Sequence, residues 1–145
     1  AMADVIYNSF FRDLSNGSID LDTDTFKLML VTSTYTPNSD THAKRSDITN
    51  EVSGTGYTAG GATLASVTLT LDNTNDQVVW DAADVTWSSS TITARGAVLY
   101  KSRGGASTAD ELVKYFDFGS DQSSSNGNFT VQFNASGILQ VKNGT

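Results

Sequence analysis

The side chains able to do chemistry are few and dispersed. A nucleophilic relay needs a base held beside its nucleophile, and histidine is the usual base. The chain has a single histidine, His42, in a polar stretch between Thr41 and Ala43, which reads as an exposed loop residue without a catalytic role. There is no cysteine. That removes thiol nucleophiles, thiolate zinc sites and disulfide frameworks together, and leaves the redox compartment open. No Gly-x-Ser-x-Gly elbow, phosphate-cradling glycine loop or metalloprotease helix occurs. Asp81, Asp84, Asp110, Glu111 and Asp117 are raw material for paired-carboxylate glycoside chemistry. That chemistry needs two carboxyls at ~5 or ~9 Å across a cleft, and no spacing here brings any two together. The expectation is a protein that is not an enzyme and calls for no cofactor.

One cluster suggests a hard cation. Asp20, Asp22 and Asp24 alternate, an oxygen-rich pattern that calcium accepts. The continuation Thr25-Phe26-Lys27 lacks the glycine and distal glutamate of a full calcium loop. In an extended segment the three carboxylates share one face; a solvated strand entry is the favoured reading, with a metal site the weaker one. Among the aromatics, Trp80 and Trp87 sit in valine-rich strand-like runs and are expected in the core. Tyr35 and Tyr57 lie in a long polar loop and are candidate contact residues, since exposed aromatics anchor protein interfaces. Phe10 and Phe11, on a predicted N-terminal helix, are further interface candidates.

These residues must be positioned by the elements around them. Val5-Ile6-Tyr7 and Phe10-Phe11-Leu14 recur at three- and four-residue steps, which predicts a short amphipathic helix stopped by Asn16-Gly17. From Phe26 the period becomes two. Strands are predicted at 26–31, 63–72, 78–80, 85–87, 92–101, 112–118, 128–134 and 138–141, separated by turns rich in Gly, Ser, Asn and Asp. The near-continuous apolar run Phe26–Val31 predicts burial on both faces, and Ala65-Ser66 breaks the phase of its strand as a bulge would. The gaps are too short and polar for crossover helices. The fold expected is all-β: an antiparallel β-sandwich or jelly-roll-like barrel of about seven to eight strands with a short N-terminal helix. The segment 34–61 is the exception, long and polar, with the only proline and the only histidine. One helical turn capped by Ser46 fits within it. A loop of that length is commonly functional, and it is the first candidate for an interface.

Length and charge set the outer bounds. At 145 residues the chain is one domain's worth, expected as a single β domain over 2–145. The opening Ala1-Met2-Ala3-Asp4 reads as a tag remnant, Ala1, ahead of a natural start at Met2, without the basic and apolar regions of a signal peptide. Nine basic against sixteen acidic residues give a net charge of −7. With the cations scattered, nucleic acid and anionic membrane surfaces are disfavoured as partners. No run approaches the ~20 apolar residues of a membrane span.

Several stretches, taken in order, resemble a known family. They are Tyr7-Asn8-Ser9-Phe10; Asp20 to Lys27 running into Leu30-Val31-Thr32-Ser33; Asn50 to Gly61; Asp81-Ala82-Ala83-Asp84-Val85-Thr86-Trp87; Ala94 to Lys101; and Phe116-Asp117-Phe118-Gly119. Together, from about Tyr7 to Leu139, they are similar to small virion structural proteins of tailed bacteriophages and prophages. The resemblance implies a non-enzymatic capsid decoration (cement or head-fibre) protein, made in the bacterial host cytoplasm and found on the virion. Its partners would be capsid or other virion proteins, and it would be a homo-oligomer with trimers favoured. The alternative is a tail-fibre or receptor-binding module that recognises a host surface ligand. A calcium-stabilised adhesin is a third reading and depends on Asp20, Asp22 and Asp24.

Overall fold

Strand β2 (Phe26–Val31) is the element around which the molecule is built. Its alternation sends Phe26, Leu28 and Leu30 into one apolar cluster and Met29 and Val31 into another on the opposite side, which is why its sequence is apolar almost throughout. The computed structural model describes residues 3–144. Ala1 and Met2, read above as a tag remnant and a natural start, lie outside the described residues, as does Thr145.

The remaining elements are β1 (Val5–Ile6), α1 (Asn8–Ser15), β3 (Ala62–Thr63), β4 (Thr68–Asp72), β5 (Gln77–Asp81), β6 (Val85–Ser90), β7 (Thr93–Lys101), β8 (Leu112–Ser123), β9 (Gly127–Val131) and β10 (Leu139–Lys142), with 3-10 turns at Arg45–Asp47 and Ser107–Ala109. They form three antiparallel sheets, ordered β1-β8-β7-β2-β3, β10-β5-β4 and β6-β9. The fold is all-β and sandwich-like, and the sheets do not close into a barrel. The main core fills the space between the five-stranded sheet and the two smaller ones, with Trp80, Trp87, Phe129 and Val131 packed against Phe26, Leu28 and Leu30. Both tryptophans are core residues, as their valine-rich surroundings suggested.

Several local expectations change, among them the strand predicted over 112–118, which runs on to Ser123, and that over 128–134, which ends at Val131. The predicted helix loses its first residues: Val5 and Ile6 pair with Tyr115 and Lys114 of β8. β-branched side chains favour the pleated surface, and the Tyr7 N–H continues the pairing by donating to the Val113 carbonyl. The helix proper runs only over Asn8–Ser15, and Gly17 at φ +82° ends it as anticipated. The single strand expected over 63–72 is two strands in different sheets, because Ser66 adopts φ +54° and redirects the chain. With β1 and β3 only two residues long, ten strands result among the described residues.

The polar segment 34–61 covers the second face of the large sheet. Tyr35 and Ile48 close over Met29, Val31, Val98 and Tyr100. Backbone bonds Thr32 N–H to Asn50 C=O and Val52 N–H to Leu30 C=O tie its far end to β2. Gly61, at φ +82°, lies so close to β2 that a Cβ would collide with the Leu28 carbonyl. No larger residue fits there without moving the backbone.

Candidate functional site

His42 is occupied structurally. Its Nδ1 accepts from the Asn38 N–H at 3.2 Å and lies 2.9 Å from the Tyr35 hydroxyl, which in turn lies 2.8 Å from the Tyr7 hydroxyl. A backbone N–H only donates, so Nδ1 is an acceptor here, an arrangement suited to a neutral ring protonated on Nε2. Tyr35 then donates to His42 and Tyr7 to Tyr35. The imidazole also stacks on the Tyr35 ring, with centroids 5.6 Å apart. Burial pushes the Tyr7 hydroxyl well above its ordinary value and that of Tyr35 up to about 12. Both are locked in the neutral form. The histidine is thus no idle loop residue: it braces segment 34–61 internally and orients Tyr35, whose hydroxyl meets Tyr7 outside the segment.

The carboxylates are likewise committed. Asp110 and Glu111 are buried. Arg45 Nε donates to Asp110 at 2.7 Å, and Arg103 grips Glu111 with Nε at 2.8 Å and a terminal nitrogen at 2.6 Å. Burial alone would raise the Glu111 carboxyl, but Arg103 and then Lys44 hold it below the ordinary glutamate value. These pairs staple segment 34–61, which supplies Lys44 and Arg45, to the chain around 102–111. Asp117 accepts from Arg95 Nε and the Gly119 N–H. Asp84 accepts from the Phe133 N–H, and Asp81 from the neighbouring Ala82 N–H. The 3-10 turn over Arg45–Asp47 is capped by Asp47, which accepts from the Ala43 and Lys44 N–H groups, rather than by Ser46.

Asp20, Asp22 and Asp24 occupy a turn and not an extended strand, so they do not share a face. Asp24 accepts from the Asp20 N–H at 2.7 Å and pairs with Lys101 Nζ at 2.8 Å. Asp20 accepts from the Asp22 N–H, which holds its carboxyl below the ordinary range. Asp20 and Asp22 are both exposed, and Asp24 is half-buried. Among the described residues no three His, Asp or Glu side chains converge as a metal site requires.

Of the four interface candidates, Phe11 alone is exposed, at 54%. Phe10 is buried in the main core because the helix turns it towards the sheets. Tyr35 is buried in the second cluster. Tyr57 is half-buried, packed on Trp87, with its hydroxyl donating to Glu51 and accepting from the Leu30 N–H. A tyrosine in a polar loop has two possible fates, and here both loop tyrosines turn inward to anchor the segment.

The exposed apolar surface lies elsewhere. Opposed residues of an antiparallel ladder share a face. The rows Leu69-Trp80-Leu139 and Leu71-Val78-Val141 therefore lie on the inner face of the small β10-β5-β4 sheet. Trp80 and Leu139 reach the core, with the Trp80 Nε1–H donating to the Leu21 carbonyl at 2.9 Å. The sheet continues past the core, and Leu69, Leu71 and Val141 are left 40%, 68% and 47% exposed. This overhang forms one wall of a shallow groove whose other wall is Leu14, Ile19 and Leu21. In sequence Leu69 and Leu71 read as ordinary buried positions, and only the length of the hairpin relative to the core reveals otherwise.

Neither a family model, nor a curated protein, nor a solved structure shows significant similarity to the chain.

Proposed function

We propose that the chain is a non-enzymatic structural protein of a tailed-phage virion, a capsid decoration protein that works by docking on neighbouring capsid subunits. The observation that carries this reading is the apolar overhang. A folded monomer gains nothing from holding Leu69, Leu71 and Val141 in water, and exposed apolar residues gathered at one place mark surfaces that become buried on assembly. Two further features support it. The carboxylates and the histidine that could serve a reaction are engaged in structural bonds, with Asp110, Glu111 and His42 holding segment 34–61 in place and Asp81, Asp84 and Asp117 bonded elsewhere. The acidic balance of the chain suits the outside of a shell, away from packaged DNA. The sequence resemblance to virion proteins supplies the class of partner. Binding across subunits would stabilise the assembled shell over its free parts by linkage.

The test is co-sedimentation of the purified chain with phage shells that lack it, beside a host-cell binding assay. Decoration requires saturable binding at a fixed ratio per shell and a gain in resistance to heat. Binding to cells and not to shells would replace this reading with the receptor-binding one.

A further inference from the structure

The overhang ends in a free edge, and the backbone there has a definite polarity. β4 is the outer strand of its sheet, paired on one side only. The Asp76 carbonyl accepts from the Asn143 N–H and the Trp80 carbonyl from the Ile138 N–H. Asp76, Val78 and Trp80 therefore turn their backbone groups towards β10. Gln77, Val79 and Asp81 turn theirs towards β4, where their partners are Asp72, Thr70 and Thr68. By the alternation of an antiparallel ladder, the residues of β4 whose N–H and C=O point out of the sheet are Leu69 and Leu71. They are the same two residues whose side chains are left in water.

Natural edges are blunted by lysine, proline or a bulge. β4, with the sequence Thr-Leu-Thr-Leu-Asp, has no lysine or proline, and its register with β5 is unbroken. It is also complementary to itself. When two copies of β4 run antiparallel about a two-fold axis at Thr70, Leu69 of one copy stands opposite Leu71 of the other. The outward N–H and C=O groups of both leucines then meet partners of the right polarity. The four leucine side chains fall on the same face, because opposed residues share one. Asp72 falls opposite Thr68, so no carboxylate faces another carboxylate. An antiparallel contact with the other free edge, β10, lacks this match: there Gln140 and Lys142 point their backbones outward, and their side chains lie on the polar face.

We infer that a second copy of this chain pairs on β4, joining two three-stranded sheets into one across a two-fold axis at Thr70. Such an isologous contact closes on itself and gives a dimer, not the trimer that the resemblance to decoration proteins implies. The inference rests on the reading of the overhang as an assembly surface, but it is tested without capsids.

The chain has no cysteine, so a single engineered one is a clean probe. Thr70 faces Thr70 as a non-hydrogen-bonded pair, with Cα atoms at about 4.5 Å, inside the range a disulfide spans. Thr70→Cys under mild oxidation should run as a covalent dimer on a non-reducing gel, while Thr74→Cys at the hairpin tip should not. In sedimentation velocity the unmodified protein should reach twice the 15.4 kDa chain mass as concentration rises. Leu71→Lys, at a position too exposed to be needed for folding, should weaken the dimer at least tenfold. A monomer at every concentration overturns the inference. So does an oligomer in which Thr70→Cys does not cross-link, because β4 would then meet a different edge. Dimerisation without shell binding removes decoration and keeps the pairing; shell binding by a persistent monomer does the reverse.

Discussion

The Tyr35 hydroxyl lies 2.8 Å from the Tyr7 hydroxyl in a buried cluster, and through it the hydrogen-bond relay from Tyr7 to His42 runs. Tyr35 thereby joins segment 34–61 to the residue that bridges β1 and α1. Tyr35→Phe keeps the ring and its packing but strands one hydroxyl and weakens the hold on the imidazole. The expected cost is about 1–3 kcal/mol, the usual penalty for an orphaned buried polar group, read from urea unfolding. A loss below a few tenths would show the relay to be unimportant.

Stability should fall in acid. The carboxyls of Glu111 and Asp47 are both held below their ordinary values, the first by Arg103 and Lys44 against the effect of burial, the second by the Ala43 and Lys44 N–H groups. The folded state binds these protons less readily than the unfolded chain. Their contribution is complete above the unfolded values of about 4.3 for Glu and 3.9 for Asp, and it is lost as pH drops through the lower folded values. At the other end, Tyr35 is raised to about 12. Its contribution is complete below the unfolded value of about 10 and is lost as pH rises towards the folded one. Melting temperatures from pH 2 to 12 should therefore give a plateau with two shoulders. In Glu111→Gln the acid shoulder should shrink.

Two glycines with the same φ of +82° should respond differently. A Cβ on Gly17 meets nothing within 4 Å, whereas one on Gly61 strikes the Leu28 carbonyl. Gly17→Ala should cost only the left-handed backbone penalty of about 1–2 kcal/mol. Gly61→Ala adds a steric clash with the central strand and should cost on the order of 4 kcal/mol or more. Equal losses in denaturant titration would mean that the Gly61 contact relaxes without consequence.

Calcium should not matter. Asp24 is paired with Lys101, and Asp20 accepts from a neighbouring N–H. Thermal unfolding in calcium and in chelator should coincide. A higher melting temperature with calcium, abolished by Asp22→Asn, would revive the cation site.

Much of this architecture is legible in the sequence because it rests on local periodicity. The apolar run at 26–31, the alternation in Phe129-Thr130-Val131 and the turn at 73–76 each carry their own signal, and each is found where expected. What sequence leaves open depends on distant partners. Val5 and Ile6 have helical spacing, and only β8 makes them a strand. Tyr35 and Tyr57 sit among polar neighbours, and only distant surfaces draw them inward: the second face of the large sheet for Tyr35, the main core at Trp87 for Tyr57. Nothing near Arg45 or Arg103 announces Asp110 or Glu111 as a buried partner. The exposure of Leu71 escapes for a related reason: alternation tells which face a residue takes, not how far the core beneath that face extends.

The pairing of β1 with β8 also sets a timetable. The N–H of Asp117 donates to the Asp4 carboxylate, and those two residues are 113 positions apart in sequence. At roughly 5–20 residues per second on the ribosome, the first strand waits several seconds or more for its partner to be synthesised. β2 waits for β7 across a shorter but still long separation, from Val31 paired with Gly96 to Phe26 paired with Lys101. Contacts so distant along the chain make for slow acquisition of the native state. Through that interval the flank of β2 that β7 will cover stands open, with only the short β3 and residues 50–52 available on the other side, and the nascent chain is most vulnerable to being captured by another strand.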